Sequence, residues 1–166
     1  HDALPIYVIA SVLAERLSGS YKMLHLPDGL SQDSLHMLMT CEPQIKEIGD
    51  LISRTDVLLF GIGTAMRMAD QRHIADDVRK QLVDNHAVGE ALGQYCDIEG
   101  KLIYSTNNIG LSLPDVVKVP NVIAVAGGQE KASAIIGVMR ACQKGILIID
   151  EQAAEGMRQL LQISAL

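Results

Sequence analysis

The chain has 166 residues, 48% of them apolar, which suits one domain with one core, and a formal net charge of −6 without any Lys/Arg cluster; this excludes an electrostatic footprint for direct DNA or RNA binding. Aromatic residues make up only 3%, too few for a platform that stacks single-stranded bases. No apolar run approaches the roughly 20 residues of a membrane span and no signal-peptide pattern opens the chain, so the sequence reads as soluble, cytoplasmic and free of any membrane partner.

From the N-terminus, Leu4, Val8, Ile9, Val12, Leu13 and Leu17 trace one helical face, and Ser18-Gly19 stops it. Lys22 to Leu26 reads as a short strand ended by Pro27-Asp28-Gly29. Ser31 then caps a helix carrying Leu35, Leu38 and Met39. Pro43 opens another through Ile45, Ile48 and Ile52, at an early position where its missing N–H is harmless. An apolar strand over 56–60 runs into Gly61-Ile62-Gly63. A polar stretch from Met66 to Asp77, holding Arg67, Arg72 and His73, leads into a helix near Ala75 to Asn85. Gly89 to Asp97 and Lys101 to Tyr104 flank Ile98-Glu99-Gly100, a hairpin pattern with its glycine in the turn. Strand 121–126, helix 129–142, strand 145–149 and a closing helix from Glu151 complete the chain. Strands alternating with helices predict an α/β fold with a mainly parallel sheet, the hairpin being a decoration.

Cys41, Cys96 and Cys142 are scattered singly and read as reduced packing residues. The five histidines never fall at metal-binding helical spacing, so neither a metal nor a cofactor is expected.

The chemistry concentrates in two glycine turns. Val122-Ile-Ala-Val-Ala-Gly-Gly-Gln-Glu-Lys131 is a strand, a tight turn and a helix start. Such a turn leaves N–H groups at the positive end of a helix, and Lys131 adds a full charge, which makes Gly127, Gly128 and Lys131 candidates for an anion. Gly61 and Gly63 end the other strand, with Arg67 and Arg72 just beyond; a guanidinium fork matches phosphate bidentately. In doubly wound sheets ligands bind at the carboxyl ends of parallel strands, so both turns can face one crevice. Glu90, between Gly89 and an apolar segment, is a candidate acceptor for sugar hydroxyls. The alternatives are ordinary corner-closing turns, solvated Lys131 and arginines, and an exposed glutamate. His86, Asp84, Asp97 and Glu99 read as structural, and Asp150-Glu151 as a helix start.

The motifs Tyr21-Lys-Met-Leu-His-Leu-Pro-Asp28, Gly61-Ile-Gly63, His86-Ala-Val-Gly-Glu90-Ala-Leu-Gly93 and Val122-Ile-Ala-Val-Ala-Gly-Gly-Gln-Glu-Lys131-Ala132 follow one another along nearly the whole chain. In that order they resemble the sugar-binding effector domain of SorC/DeoR-type bacterial transcriptional regulators, above all the branch that governs glycolytic genes. The resemblance implies a Rossmann-like three-layer α/β/α fold related to glucosamine-6-phosphate deaminases and ribose-5-phosphate isomerases. It implies a non-catalytic sensor for a phosphorylated sugar, fructose 1,6-bisphosphate in the glycolytic branch. Its partners would be copies of itself in a dimer or tetramer, and operator DNA through a separate helix-turn-helix domain. Carried over by position, the implied ligand contacts are Gly61, Gly63, Arg72, Glu90, Gly127, Gly128 and Lys131. The chain opens on His1-Asp2, and the family's first strand, its phosphate loop and its DNA-binding domain are expected to precede residue 1.

The rival is a sugar-phosphate isomerase or deaminase on the same fold. Such enzymes need a carboxylate placed to move a proton, yet Thr64-Ala65-Met66-Arg67-Met68 follows the glycines and no carboxylate appears until Asp70. A nicotinamide-dependent oxidoreductase would need a third glycine where Met66 stands.

Overall fold

The computed structural model of the protein describes residues 6–26 and 29–162. Leu4 of the first helical stripe and the Pro27-Asp28 pair of the anticipated turn lie outside them.

The opening helical face forms α1 (Ile6–Arg16). Ser18, rather than the glycine, takes the left-handed conformation that ends it (φ 53°). The Gly19 N–H then reaches the Ala14 carbonyl at 2.8 Å and the Ser18 N–H that of Glu15 at 3.1 Å, the two bonds of a Schellman close. Ser31 caps α2 (Gln32–Cys41) by accepting the Ser34 N–H at 3.1 Å, and Pro43 opens α3 (Pro43–Ser53). Ser31→Ala leaves that N–H without its acceptor and is expected to cost about 1 kcal/mol, read as faster amide exchange at Ser34 and Leu35; unchanged exchange there would deny the cap its role.

Next come β1 (Val57–Gly61), the two-residue β2 (Gly63–Thr64), α4 (Ala65–Gln71) and α5 (Asp76–Asp84). The polar stretch after the glycines is therefore half helical, because Ala65 and Ala69, four residues apart, bury one face of α4. The chain continues through β3 (Gly89–Ala91), β4 (Gln94–Cys96), β5 (Leu102–Ser105), a 3-10 helix over Leu113–Lys118 and β6 (Asn121–Ala126). A 3-10 turn at Gln129–Lys131 leads into α6 (Ala132–Cys142), followed by β7 (Ile146–Ile149) and α7 (Glu151–Leu160).

These strands make two sheets. The parallel one has the order β1-β6-β7, with Gly61 opposite Val125 and Ala126 opposite Ile149. The antiparallel one has the order β2-β3-β4-β5. The hairpin is thus more than a decoration. Leu92 and Gly93, both at positive φ (55° and 78°), fold the expected strand at 89–97 back on itself, the turn geometry that suits a twisted two-strand ladder. No strand forms at 22–26, since a strand needs a neighbour to pair its backbone groups and among the described residues neither sheet offers it one.

One face of the parallel sheet, Phe60, Val122, Ala124 and Ala126, packs with Ala134, Ile135, Val138 and Cys142 of α6 and Ala153 of α7. The strands are apolar on both faces, as parallel strands are; Leu59, Val125, Ile146 and Ile148 point the other way and are exposed. A second, smaller cluster joins Ala65, Ala69, Leu82 and Tyr95 beneath α4 and α5. Cys96 and Cys142 are packing residues as expected, their thiols pushed up by burial to about 12 and about 11. Cys41 is not one, because its position near the end of α2 faces solvent. No helix among the described residues is long and apolar enough to cross a membrane.

Candidate functional site

Parallel pairing puts the carboxyl ends of β1, β6 and β7 along one edge, so the two glycine turns that the sequence places far apart open side by side. Gly61 is the last residue of β1, and the next N–H, that of Ile62, still reaches the Val125 carbonyl at 3.2 Å. One residue further on the chain leaves this sheet: Gly63 starts the antiparallel sheet, directly opposite Glu90. The first turn is therefore a switch between sheets rather than a simple strand-to-helix corner. The short β2 segment packs against the Gln129–Lys131 turn, which joins the two turns into one surface.

Glu90 is the buried polar centre of this surface, 3% exposed. Its Oε1 accepts the Gly93 N–H at 2.7 Å and an Arg72 Nη2 hydrogen at 3.2 Å. Burial pushes the carboxyl above its usual range, while the Arg72 charge and the Gly93 N–H pull it back. Arg72 ends α4 and is partly exposed. Its Nε is buried and, among the described residues, has no hydrogen-bond partner. Arg67 is exposed.

The second turn holds a group that sequence reasoning read only as a helix start. Asp150 caps α7 by accepting the Ala153 N–H at 2.8 Å, and the same carboxylate also accepts the Gly128 N–H, at 2.9 Å to Oδ2 and 3.1 Å to Oδ1. The N–H groups of Ala153 and then Gly128 hold its carboxyl below the ordinary value, with a smaller contribution from the Lys131 charge. Gly127 has to be glycine for this approach, since a Cβ there would stand 2.7 Å from Asp150 Oδ2. Gly128 sits at φ 97°, a conformation that side chains avoid. The missed signal is a spatial one: Asp150 follows β7, and only the strand order shows that β7 lies beside β6.

Of the seven residues anticipated from the sequence, Gly63, Glu90 and Arg72 are joined by strand pairing and the ion pair, Gly61 lies opposite Val125 just before the Gly127-Gly128 turn, and β2 touches the turn that carries Lys131. Two clefts lie elsewhere. One of about 420 Å³ runs between the Leu92 turn, the 105–112 loop and Gln32, where polar side chains such as Gln94, Thr106 and Asn108 are spent on holding the loop. A groove of about 550 Å³ lies along α7 beside Gln129.

A family model described as "Putative sugar-binding domain" matches residues 1–159. The central glycolytic genes regulators of Bacillus subtilis and Priestia megaterium are 36% and 37% identical to the chain over 89% of its length. The match spans 43% of each regulator. Among solved structures, that of "the putative SorC family transcriptional regulator from Enterococcus faecalis" is 38% identical, covers 90% of this chain and 60% of its own, and superposes with a TM-score of 0.81. The full-length sorbitol operon regulator SorC from Klebsiella pneumoniae, at 23% identity over 90% of this chain and 49% of its own, shares the fold with a TM-score of 0.74.

Proposed function

Because the chain belongs to the sugar-binding domain family found in SorC-type transcriptional regulators, we propose that its strand-end surface binds a phosphorylated sugar, with fructose 1,6-bisphosphate the first candidate. What supports this reading is that the Gly61-Ile62-Gly63 and Gly127-Gly128 turns follow the carboxyl ends of two paired parallel strands, with Lys131 on the second turn and Arg72 paired to Glu90, which lies opposite Gly63. Two phosphates of one ligand would bridge them, one toward the partly exposed Arg72 guanidinium and one toward Gly127, Gly128 and Lys131, while Glu90 accepts from a sugar hydroxyl between. The names of the relatives tie those proteins to glycolytic genes, which favours a hexose bisphosphate over other phosphorylated sugars.

The role is sensing rather than catalysis. The first carboxylate after the Gly61 and Gly63 turn, Asp70, is exposed on α4 and ion-paired with Arg79, and the carboxylate opposite Gly63, Glu90, is held by Arg72 and the Gly93 N–H, which favours a binding role for it over proton transfer. Binding would shift the balance between subunit arrangements and, through a separate domain, occupancy of operator DNA. A ligand shifts such a balance only by binding one arrangement better than the other.

Calorimetric titration of fructose 1,6-bisphosphate, with fructose 6-phosphate for comparison, tests the reading. The bisphosphate is expected to bind more tightly, and Lys131→Ala to weaken it roughly tenfold to a hundredfold, the worth of a hydrogen bond to a charged group. Equal affinity for both sugars, or none for either, would overturn the bisphosphate reading. Sedimentation with and without saturating ligand tests the assembly step, which fails if the two profiles coincide.

A further inference from the structure

The Gly127-Gly128 turn is already in use. Its Gly128 N–H, pointed to as a phosphate donor, is held from both carboxylate oxygens by Asp150, and Oδ1 of the same group caps α7 through Ala153. A second carboxylate, Glu130, curls over the same glycine, its Oε1 and Oε2 close to where a Gly128 Cβ would stand. The donors thus face an anion that belongs to the chain itself. Lys131, on the same turn, stands close enough to act on the Asp150 charge. A phosphate arriving at Gly128 meets a like charge and an occupied donor, and the two anions cannot share one N–H without loss.

We infer that Asp150 is a built-in competitor for the anionic ligand: it holds the Gly128 amide and yields it to a bound phosphate, so that the first turn of α7 loosens when the ligand arrives. This deepens the phosphate reading and rests on it. It also names the element that responds. Asp150 links the turn after β6 to the start of α7, so the same carboxylate that leaves Gly128 also sets the geometry of the Ala153 cap, and a local exchange of partners becomes a change at a helix end.

Asp150→Asn separates the two roles. Asparagine is as good a helix cap as aspartate, and its Oδ1 keeps the Ala153 N–H. The amide nitrogen replacing Oδ2 cannot accept, so the Gly128 N–H keeps only its longer bond, 3.1 Å, to Oδ1, and of the two like charges at the turn the one on residue 150 is gone, that of Glu130 remaining. Fructose 1,6-bisphosphate is expected to bind Asp150→Asn about tenfold more tightly than the unsubstituted protein, by removal of one close like charge. Amide exchange at Ala153 and Ala154 in the unsubstituted protein is expected to speed up at saturating ligand, opposite to the general protection that binding confers. Unchanged or weaker binding by the folded Asn variant, beside clear binding by the unsubstituted protein, would overturn the inference and leave Asp150 a cap and a positioning residue only. Slower exchange at Ala153 would overturn the coupling to α7. Absence of binding by the unsubstituted protein and by Asp150→Asn alike would remove the phosphate reading itself, and the competition with it.

Discussion

Arg72→Ala is expected to destabilise the protein by about 3 kcal/mol, the lower end of the range for removing one partner of a buried ion pair. The lower end applies because Arg72 keeps 29% of its side chain exposed, whereas Glu90 is almost wholly enclosed. Alanine would leave Glu90 charged and buried with only the Gly93 N–H as partner. At about 2–4 °C per kcal/mol for a chain of this size, the melting temperature falls by roughly 10 °C. Glu90→Gln should cost less, about 1 kcal/mol, since the amide oxygen still accepts the Gly93 N–H and the freed guanidinium has solvent. A loss under about 1 kcal/mol for Arg72→Ala in urea denaturation would mean that the pair is worth no more than a surface salt bridge.

The same pair gives a pH signature whose sign is fixed. Burial raises the Glu90 carboxyl above 4.5 in the folded protein, so the native state takes up its proton before the unfolded chain does. Stability linked to Glu90 therefore increases as pH falls from neutrality through the raised folded value toward 4.5, and is lost as pH rises back through it. Arg72 opposes the rise, and without it the folded value climbs further. The deficit of Arg72→Ala is then greatest at neutral pH and shrinks on mild acidification, as Glu90 becomes neutral. A deficit that grows toward acid would contradict a charged Glu90 as its source.

Much of this architecture is legible in the sequence because it is local. Ser31 and Pro43 mark helix starts through the backbone groups they satisfy or lack, and the apolar runs at 57–60 and 121–126 announce parallel strands. The glycine turns are equally local, so Gly61, Gly63, Gly127 and Gly128 stand out in the sequence, whereas the choice of Arg72 over Arg67 comes only with the resemblance to the family. What escapes is long-range. Lys22 to Leu26 has the composition of a strand but, among the described residues, no strand to pair with. Gly89 to Asp97 hides a second turn because Leu92 is a residue that local rules do not place at positive φ. Asp150 shows its cap in the sequence and conceals its hold on Gly128, which depends on β7 lying next to β6.

Gly137 is the sharpest case of a residue whose role only tertiary structure reveals, and Gly137→Ala is expected to cost about 2 kcal/mol although local rules predict a gain. In the middle of α6, alanine should stabilise the helix by roughly 0.5–1 kcal/mol relative to glycine. Here a Cβ would collide with the Asp97 carbonyl oxygen and stand 3.0 Å from Val88 Cγ2 and 3.3 Å from the Asp97 carbonyl carbon. Asp97 cannot easily give way. Its N–H bonds the Lys101 carbonyl, its carbonyl accepts the Gly100 N–H, and its side chain accepts the N–H groups of Glu99 and Lys101. Gly100 itself lies against the Arg140 and Ala141 backbone, so the hairpin turn is clamped onto α6 at two glycines. Overpacking against a braced backbone costs about 1–3 kcal/mol, more than the propensity gain. A fall of roughly 6 °C in melting temperature is the expected result for Gly137→Ala. An unchanged or higher melting temperature would show that the hairpin can lift from the helix, and that the β3 to β5 ladder carrying Glu90 is less firmly seated than this packing requires.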